Sequence, residues 1–292
     1  MKAHGFMKEE DALPITVYSP ESQMHSPVKL VKSMWSNLKC SRELAWRLFV
    51  RDVSARYRQS YLGIFWAFVP ALLSGLVFIV LHAKGVVNFG KVDIPYPVFA
   101  IIGTTLWQLF SESINAPLKA VTSGKTMLAK INFPREALIL SAVYEVLFGF
   151  TIKLVLIVAV MFFFKVPLGF GLLLSLPAVL ALVFLGIALG MFLTPIGMLY
   201  GDVGSALTVL IQLWFFVTPV VYPPPQSFPY SLVATLNPVS SLLVGTRELM
   251  TKGTLTDIPL FMAICVCTLI GLMVAWFMYR VTMPIMIERM SS

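Results

Sequence analysis

Apolar residues in this chain gather into long blocks instead of alternating with polar ones. A helix that crosses a bilayer needs about 20 mostly apolar residues, and the blocks predict six. The first is placed at 62–83 with Pro70 inside it, and the second at 95–113. The third, at 137–164, carries Glu145 and Lys153. No charged residue occurs from Val166 to Gly201, which is too long for one helix, so the fourth is placed at 172–195 with Pro177 near its start. The fifth, at 204–222, stops at Pro223-Pro224-Pro225, and the sixth, at 258–279, is closed by Arg280.

Two stretches depart from that pattern. Ser231 to Gly245 is apolar but too short to span, and it breaks at Asn237-Pro238. A residue before proline is pushed out of the helical region. Non-helical backbone survives at membrane depth only under cover of protein or a wet cavity. Two re-entrant half-helices within about 223–257, forming a gate at Asn237 and Pro238, fit this; a plain extracytoplasmic loop is the alternative. In the second stretch, 35–60, Trp46, Val50, Val53 and Tyr57 recur on one helical face. Arg47, Arg51, Ser54 and Arg58 recur at the same spacing, rotated by about 100°. An apolar stripe beside an arginine stripe predicts a helix lying in the membrane interface, with a solvated charged face as the alternative. Residues 1–34 read as a disordered cytoplasmic tail without a signal-peptide core.

Composition agrees: 58% of residues are hydrophobic and 12% charged, against roughly 25% charged in soluble domains. The fold class expected is an all-α polytopic membrane protein. Of 22 Lys and Arg, sixteen fall on one side of the predicted spans: ten before the first, four between the second and third, two after the last. Basic residues stay cytoplasmic, so both termini are expected inside. The net charge of +8 then implies anionic lipid and a cytoplasmic partner rather than nucleic acid.

Candidate chemistry is sparse. Cys40, Cys265 and Cys267 make no disulfide framework and read as small core residues. His4, His25 and His82 are scattered, so no metal is expected. Ser123-Gly124-Lys125-Thr126 imitates the end of a phosphate loop but lacks its earlier glycine and preceding strand. Any ATP and magnesium must therefore be bound by another subunit, and this chain is not expected to be an enzyme. Glu145 and Lys153 lie on one face of span three. Intramembrane charge suggests function, here a proton-coupled carrier, unless each group pairs with a neighbouring helix. Tyr61, Phe65, Phe68 and Leu72 would form one stripe of span one, with Trp66 beside it. Trp107, Phe110, Trp214 and Phe215 lie on spans two and five. Such rings could line a channel in which sugars stack their C–H faces, or serve as interfacial belts and packing.

The run Arg51-Asp52, Arg56-Tyr57, Gln59-Ser60, Leu62-Gly63, Trp66 and Pro70 resembles the signature of type-2 ABC transporter permeases that export polysaccharides: O-antigen, capsule and teichoic acid. The likeness extends from about Trp35 to the C-terminus. It implies a homodimer in the inner (plasma) membrane, joined to cytoplasmic ATP-binding subunits. The expected cargo is a polyprenyl-diphosphate-linked glycan, O-antigen by prevalence; a drug or lipid exporter is the nearest alternative. Residues 35–60 would match the family's interface helix and about 117–134 its coupling helix, with Lys119, Lys125, Met127, Leu128 and Lys130 meeting the ATPase. Arg47, Arg51, Arg56 and Arg58, with Tyr57 and Gln59, suit an anionic diphosphate, because guanidinium binds phosphate in a bidentate way.

Overall fold

The computed structural model describes residues 27–58, 63–86, 92–130, 133–225 and 227–291. Among them every regular element is helical. In chain order they are α1 (Pro27–Arg58), a 3-10 turn (Gly63–Ala67), α2 (Val69–Ala83), α3 (Tyr96–Ser123) and α4 (Lys125–Lys130). Then come α5 (Glu136–Phe163), α6 (Gly171–Leu199), α7 (Val203–Val217), α8 (Tyr230–Leu236), α9 (Pro238–Lys252) and α10 (Ile258–Ser291). Of these, α5, α6 and α10 are long and apolar enough to cross a membrane, while α2 and α7 are apolar but shorter.

The core is the pair α3 and α6. α3 is buried along its length, from Tyr96 to Val121. Lipid tails are as apolar as leucine, so close packing and hydrogen bonds must hold such helices together. Gly186 and Gly190, four apart on α6, provide the close approach: a Cβ on Gly190 would run into the Ile114 carbonyl and lie 2.9 Å from the Pro117 ring. Two buried hydroxyls of this pair return to their own helix, Ser113 Oγ to Leu109 O (2.7 Å) and Thr194 Oγ1 to Gly190 O (2.7 Å), which avoids stranding them in apolar surroundings. Packed around this pair are α5, α9 and α10. α9 ends at Gly253 with φ +71°, the left-handed cap that glycine adopts without strain.

Several expectations are corrected. Pro70 is not inside a span: α2 starts at Val69 and Pro70 occupies its first turn, where a missing N–H is harmless. The second helix does not stop at 113 but continues through Pro117 to Ser123, so the coupling segment expected at 117–134 divides between the end of α3 and the short α4. Arg280 does not close the last helix, which continues to Ser291; its side chain turns inward to Glu136 (3.8 Å). Helix α1 begins at Pro27 rather than at 35. It packs on α5 through Ala45, Leu48 and Phe49, whereas Trp46 and Val50 of the expected apolar stripe stay exposed. Rings pin the contact, with Phe49 edge-on to Tyr144 and Phe148 at 6.1 and 5.8 Å. Cys40 and Cys267 are exposed instead of core residues.

One polar clamp lies in the loop before α3. Lys252 Nζ at the end of α9 donates to Asp93 Oδ2 (2.6 Å). This bond holds the Asp93 carboxyl below its ordinary value of 3.8. A lowered carboxyl pKa adds stability that is present above the ordinary value and lost as pH falls through the lowered one. Asp93→Asn should therefore unfold slightly earlier than the parent at pH 7, and the two midpoints should converge as pH falls below the carboxyl's lowered value. A constant difference across that range would show that the clamp contributes nothing through charge.

Candidate functional site

Two cavities gather the polar residues of the apolar helices. The first is a groove of about 650 Å³ between α2, α3 and α7. Its walls are aromatic: Trp107 and Phe215 meet edge to face at 5.7 Å, with Phe78 tilted on Phe215 at 5.7 Å. Between the rings run amides and hydroxyls, Ser74, Gln108, Ser111, Asn115, Thr208 and Gln212. Asn115 is partly occupied, donating to Ser111 O (2.7 Å), whereas Gln108 Oε1 has no partner. Rings that accept C–H faces, interleaved with groups that exchange hydrogen bonds with hydroxyls, are the chemistry a sugar chain presents. The groove is open because its flanking helices are hardly packed: α2 buries only Ala71 and Gly75, and α7 only Leu207 and Ile211.

The second cavity, about 850 Å³, lies where the end of α1 meets α3 and α5. Arg51, Arg56, Trp66, Lys119, Glu145 and Lys153 are in its wall. Arg56 of α1 pairs with Glu145 of α5, and Lys119 of α3 approaches the same carboxylate at 3.5 Å. Lys153, whose side chain is 2% exposed, pairs with Glu112 of α3, 46% exposed. Glu145 and Lys153 thus face different partners instead of forming a relay with each other. A charge in an apolar helix is tolerable when it is paired or faces water, and this cavity supplies both.

The expected site residues divide accordingly. Arg51, Arg56, Tyr57 and Lys119 reach the charged cavity, and Arg51 also bonds Asp52 at 2.8 Å. Arg47 pairs instead with Glu43 on the exposed side of α1 (2.6 Å), and Arg58 is exposed outside the cavity. Gln59 and Tyr61 lie outside the described residues. The span-one aromatic stripe is not a helical stripe, because Phe65 and Trp66 belong to the 3-10 turn. Phe65 meets Phe68 edge-on, and Trp66 lines the charged cavity rather than the groove. Trp107 and Phe215 do line the groove. Phe110 is a correction: it is 0% exposed, wedged edge-on against Trp214 at 5.4 Å, so it packs in the core instead of facing the groove. Trp214 is tied to Asn237, its Nε1 donating to Oδ1 at 3.2 Å. Asn237 and Pro238 form the break between α8 and α9, where Asn237 caps α9 through the Val239 N–H (3.2 Å). On α4, Lys125 is exposed, Met127 half-buried and Leu128 buried, and Lys130 is the last residue. Gly124 joins two helices, with its N–H bonded to Ala120 O (3.0 Å), so Ser123-Gly124-Lys125-Thr126 is a helix junction.

The groove's polar residues escaped the sequence reading, although Gln108, Ser111 and Asn115 at i, i+3, i+7, and Thr208 and Gln212 at i, i+4, mark polar faces on apolar helices. Among the described residues, no group of three His, Cys, Asp or Glu could hold a metal.

Apolar spanning helices around a close-packed core, with polar residues turned into two open cavities, define a polytopic helical membrane protein. Residues 43–251 match the family model described as ABC-2 type transporter, and the chain belongs to that family. It is similar to the O-antigen export system permease protein RfbA of Myxococcus xanthus, with 29% identity over 253 residues, covering 85% of this chain and 94% of the relative. It is also similar to a protein of the same name from Klebsiella pneumoniae, at 27% over 210 residues, covering 70% of this chain and 79% of that one.

Proposed function

We propose that this chain is the channel-forming permease of an ATP-driven exporter that carries O-antigen, linked to a polyprenyl diphosphate, across the inner membrane. Six helices, α2, α3, α5, α6, α7 and α10, cross the bilayer with both termini in the cytoplasm. The bias of Lys and Arg to one side supports that orientation. A separate subunit binds and hydrolyses ATP, docking on α4 and neighbouring surfaces of α1. Lys125, exposed on α4, is a basic contact of the expected coupling set.

The observation that carries this reading is the open polar and aromatic groove between α2, α3 and α7. A second copy of the chain, laid against the unpacked faces of α2 and α7, would close it into a channel. The relatives' printed function supplies the cargo. The charged cavity suits the diphosphate: Arg56, Lys119 and Lys153 converge there, and phosphate oxygens can exchange with Glu145 and Glu112 for those cations.

The test is complementation in a host deleted for this chain. The parent should restore surface O-antigen and co-purify with an ATP-hydrolysing subunit at one to one. Arg56→Ala and Trp66→Ala should insert normally yet export poorly. Losing one charge-assisted hydrogen bond costs about 1.5–3 kcal/mol, or about 10- to 100-fold in occupancy. Normal export by both variants would remove the diphosphate assignment. Absence of any ATP-hydrolysing partner would remove the exporter reading itself.

A further inference from the structure

Beyond its last turn α7 unwinds, and residues 218–221 pass between α3 and α9. Carbonyls at a helix end lose their intrahelical donors, and side chains from other helices replace them here. Arg247 of α9 donates through Nη1 to Val220 O (2.9 Å) and through Nη2 to Pro219 O (3.4 Å). Tyr96 of α3 donates to Val221 O (3.1 Å). The Arg247 guanidinium, in a residue 4% exposed, also sits 3.7 Å above the ring centroid of Phe99 on α3. A buried cation held by carbonyl dipoles and a ring face is a strong fixture. One step earlier, Asn237 Nδ2 donates to Thr218 Oγ1 (2.9 Å) while its Oδ1 accepts from Trp214 Nε1. A Cβ on Gly103 would strike the Val220 carbonyl, so the strand of chain is pressed directly on α3.

The helices on either side of this fixture differ sharply in packing. α9 buries nine of its fifteen residues against the core, whereas α8 buries one of seven, Ala234. α7 buries two of fifteen. The two loosely packed helices are thus tied near one point: α7 through residues 218–221, and α8 through Asn237, whose backbone is extended.

We infer that Arg247, with Asn237, is a positioning residue that builds a fixed pivot for export: α9 is static scaffold, and α7 and α8 are the parts that swing about residues 218–221 and 237. This deepens the exporter reading and divides the expected gate, leaving α8 alone as the moving piece. A swing of α7 widens or closes the groove it flanks, while the pivot keeps its far end in register with α3.

Spin-label distances in nanodiscs test this on the full complex with its ATP-binding subunit. Cys40, Cys265 and Cys267 are first replaced by alanine. Labels at Leu213 on α7, Tyr230 at the end of α8 away from Asn237, and Thr254 after α9, all exposed, are each measured against Phe163 on α5. On trapping with ATP, the Leu213 and Tyr230 distances should shift and the Thr254 distance should not. An equal shift at Thr254 overturns the pivot, since α9 would then be moving. In parallel, Arg247→Met should keep its complex and its ATP hydrolysis while export falls roughly tenfold; a merely structural residue would lose all three together. Normal export by a folded Arg247→Met protein also overturns the inference. Should that variant fail to fold, the label distances still decide. They need no glycan, so a failure of the cargo assignment leaves them interpretable.

Discussion

Replacing Glu112 by leucine should destabilise the protein by about 3–5 kcal/mol, because it strands a buried ammonium without its partner. The asymmetry of the pair makes this specific. The Lys153 side chain is 2% exposed and cannot recover solvation, while Glu112, 46% exposed, faces the wet cavity. Lys153→Met should therefore cost much less, about 1 kcal/mol or under, since the carboxylate left behind is half solvated. The double variant Glu112→Leu/Lys153→Met should recover most of the loss, as when an apolar pair replaces a buried ion pair. Thermal unfolding of the four proteins in one detergent gives the cycle. Equal losses from the two single variants, or a double variant as unstable as Glu112→Leu, would contradict it.

That pair also illustrates what could be read from the sequence. Long apolar runs leave little choice, and α5 and α6 lie within a few residues of the blocks at 137–164 and 172–195. The break at Asn237-Pro238 was legible because proline constrains the residue before it. Partnership was not legible. Lys153 and Glu145 share a face in sequence, and only the fold brings Glu112, Arg56 and Lys119 to them. The aromatic stripe of span one rested on helical spacing from residue 61, and the 3-10 turn at Gly63–Ala67 removes that premise. α9 was read as half of a gate because it is short, but its depth of burial follows from tertiary packing that no local pattern encodes. Periodicity therefore located the helices, while the sites depended on which helices meet.

Where helices meet most closely, one methyl group should decide stability. Gly190→Ala places a Cβ against the Ile114 carbonyl and 2.9 Å from the Pro117 ring. Neither neighbour can rotate away: one is backbone inside α3, and the other is a closed ring on it. The α3–α6 seam must open, at a cost of about 1–3 kcal/mol for overpacking. In lipid no hydrophobic gain compensates, because packing is itself the force that joins these helices. Gly271 on α10 is the matched control, since a Cβ there meets nothing within 4 Å. Gly271→Ala should leave stability unchanged or raise it by about 0.5–1 kcal/mol through helix propensity. Unfolding midpoints of the two variants, measured side by side, should fall for Gly190→Ala and hold or rise for Gly271→Ala. If both fall alike, the loss reflects glycine in membrane helices generally and the close seam is not what holds α3 to α6. A fall confined to Gly190→Ala places the stability of the whole scaffold, and with it both cavities, on that single line of contact.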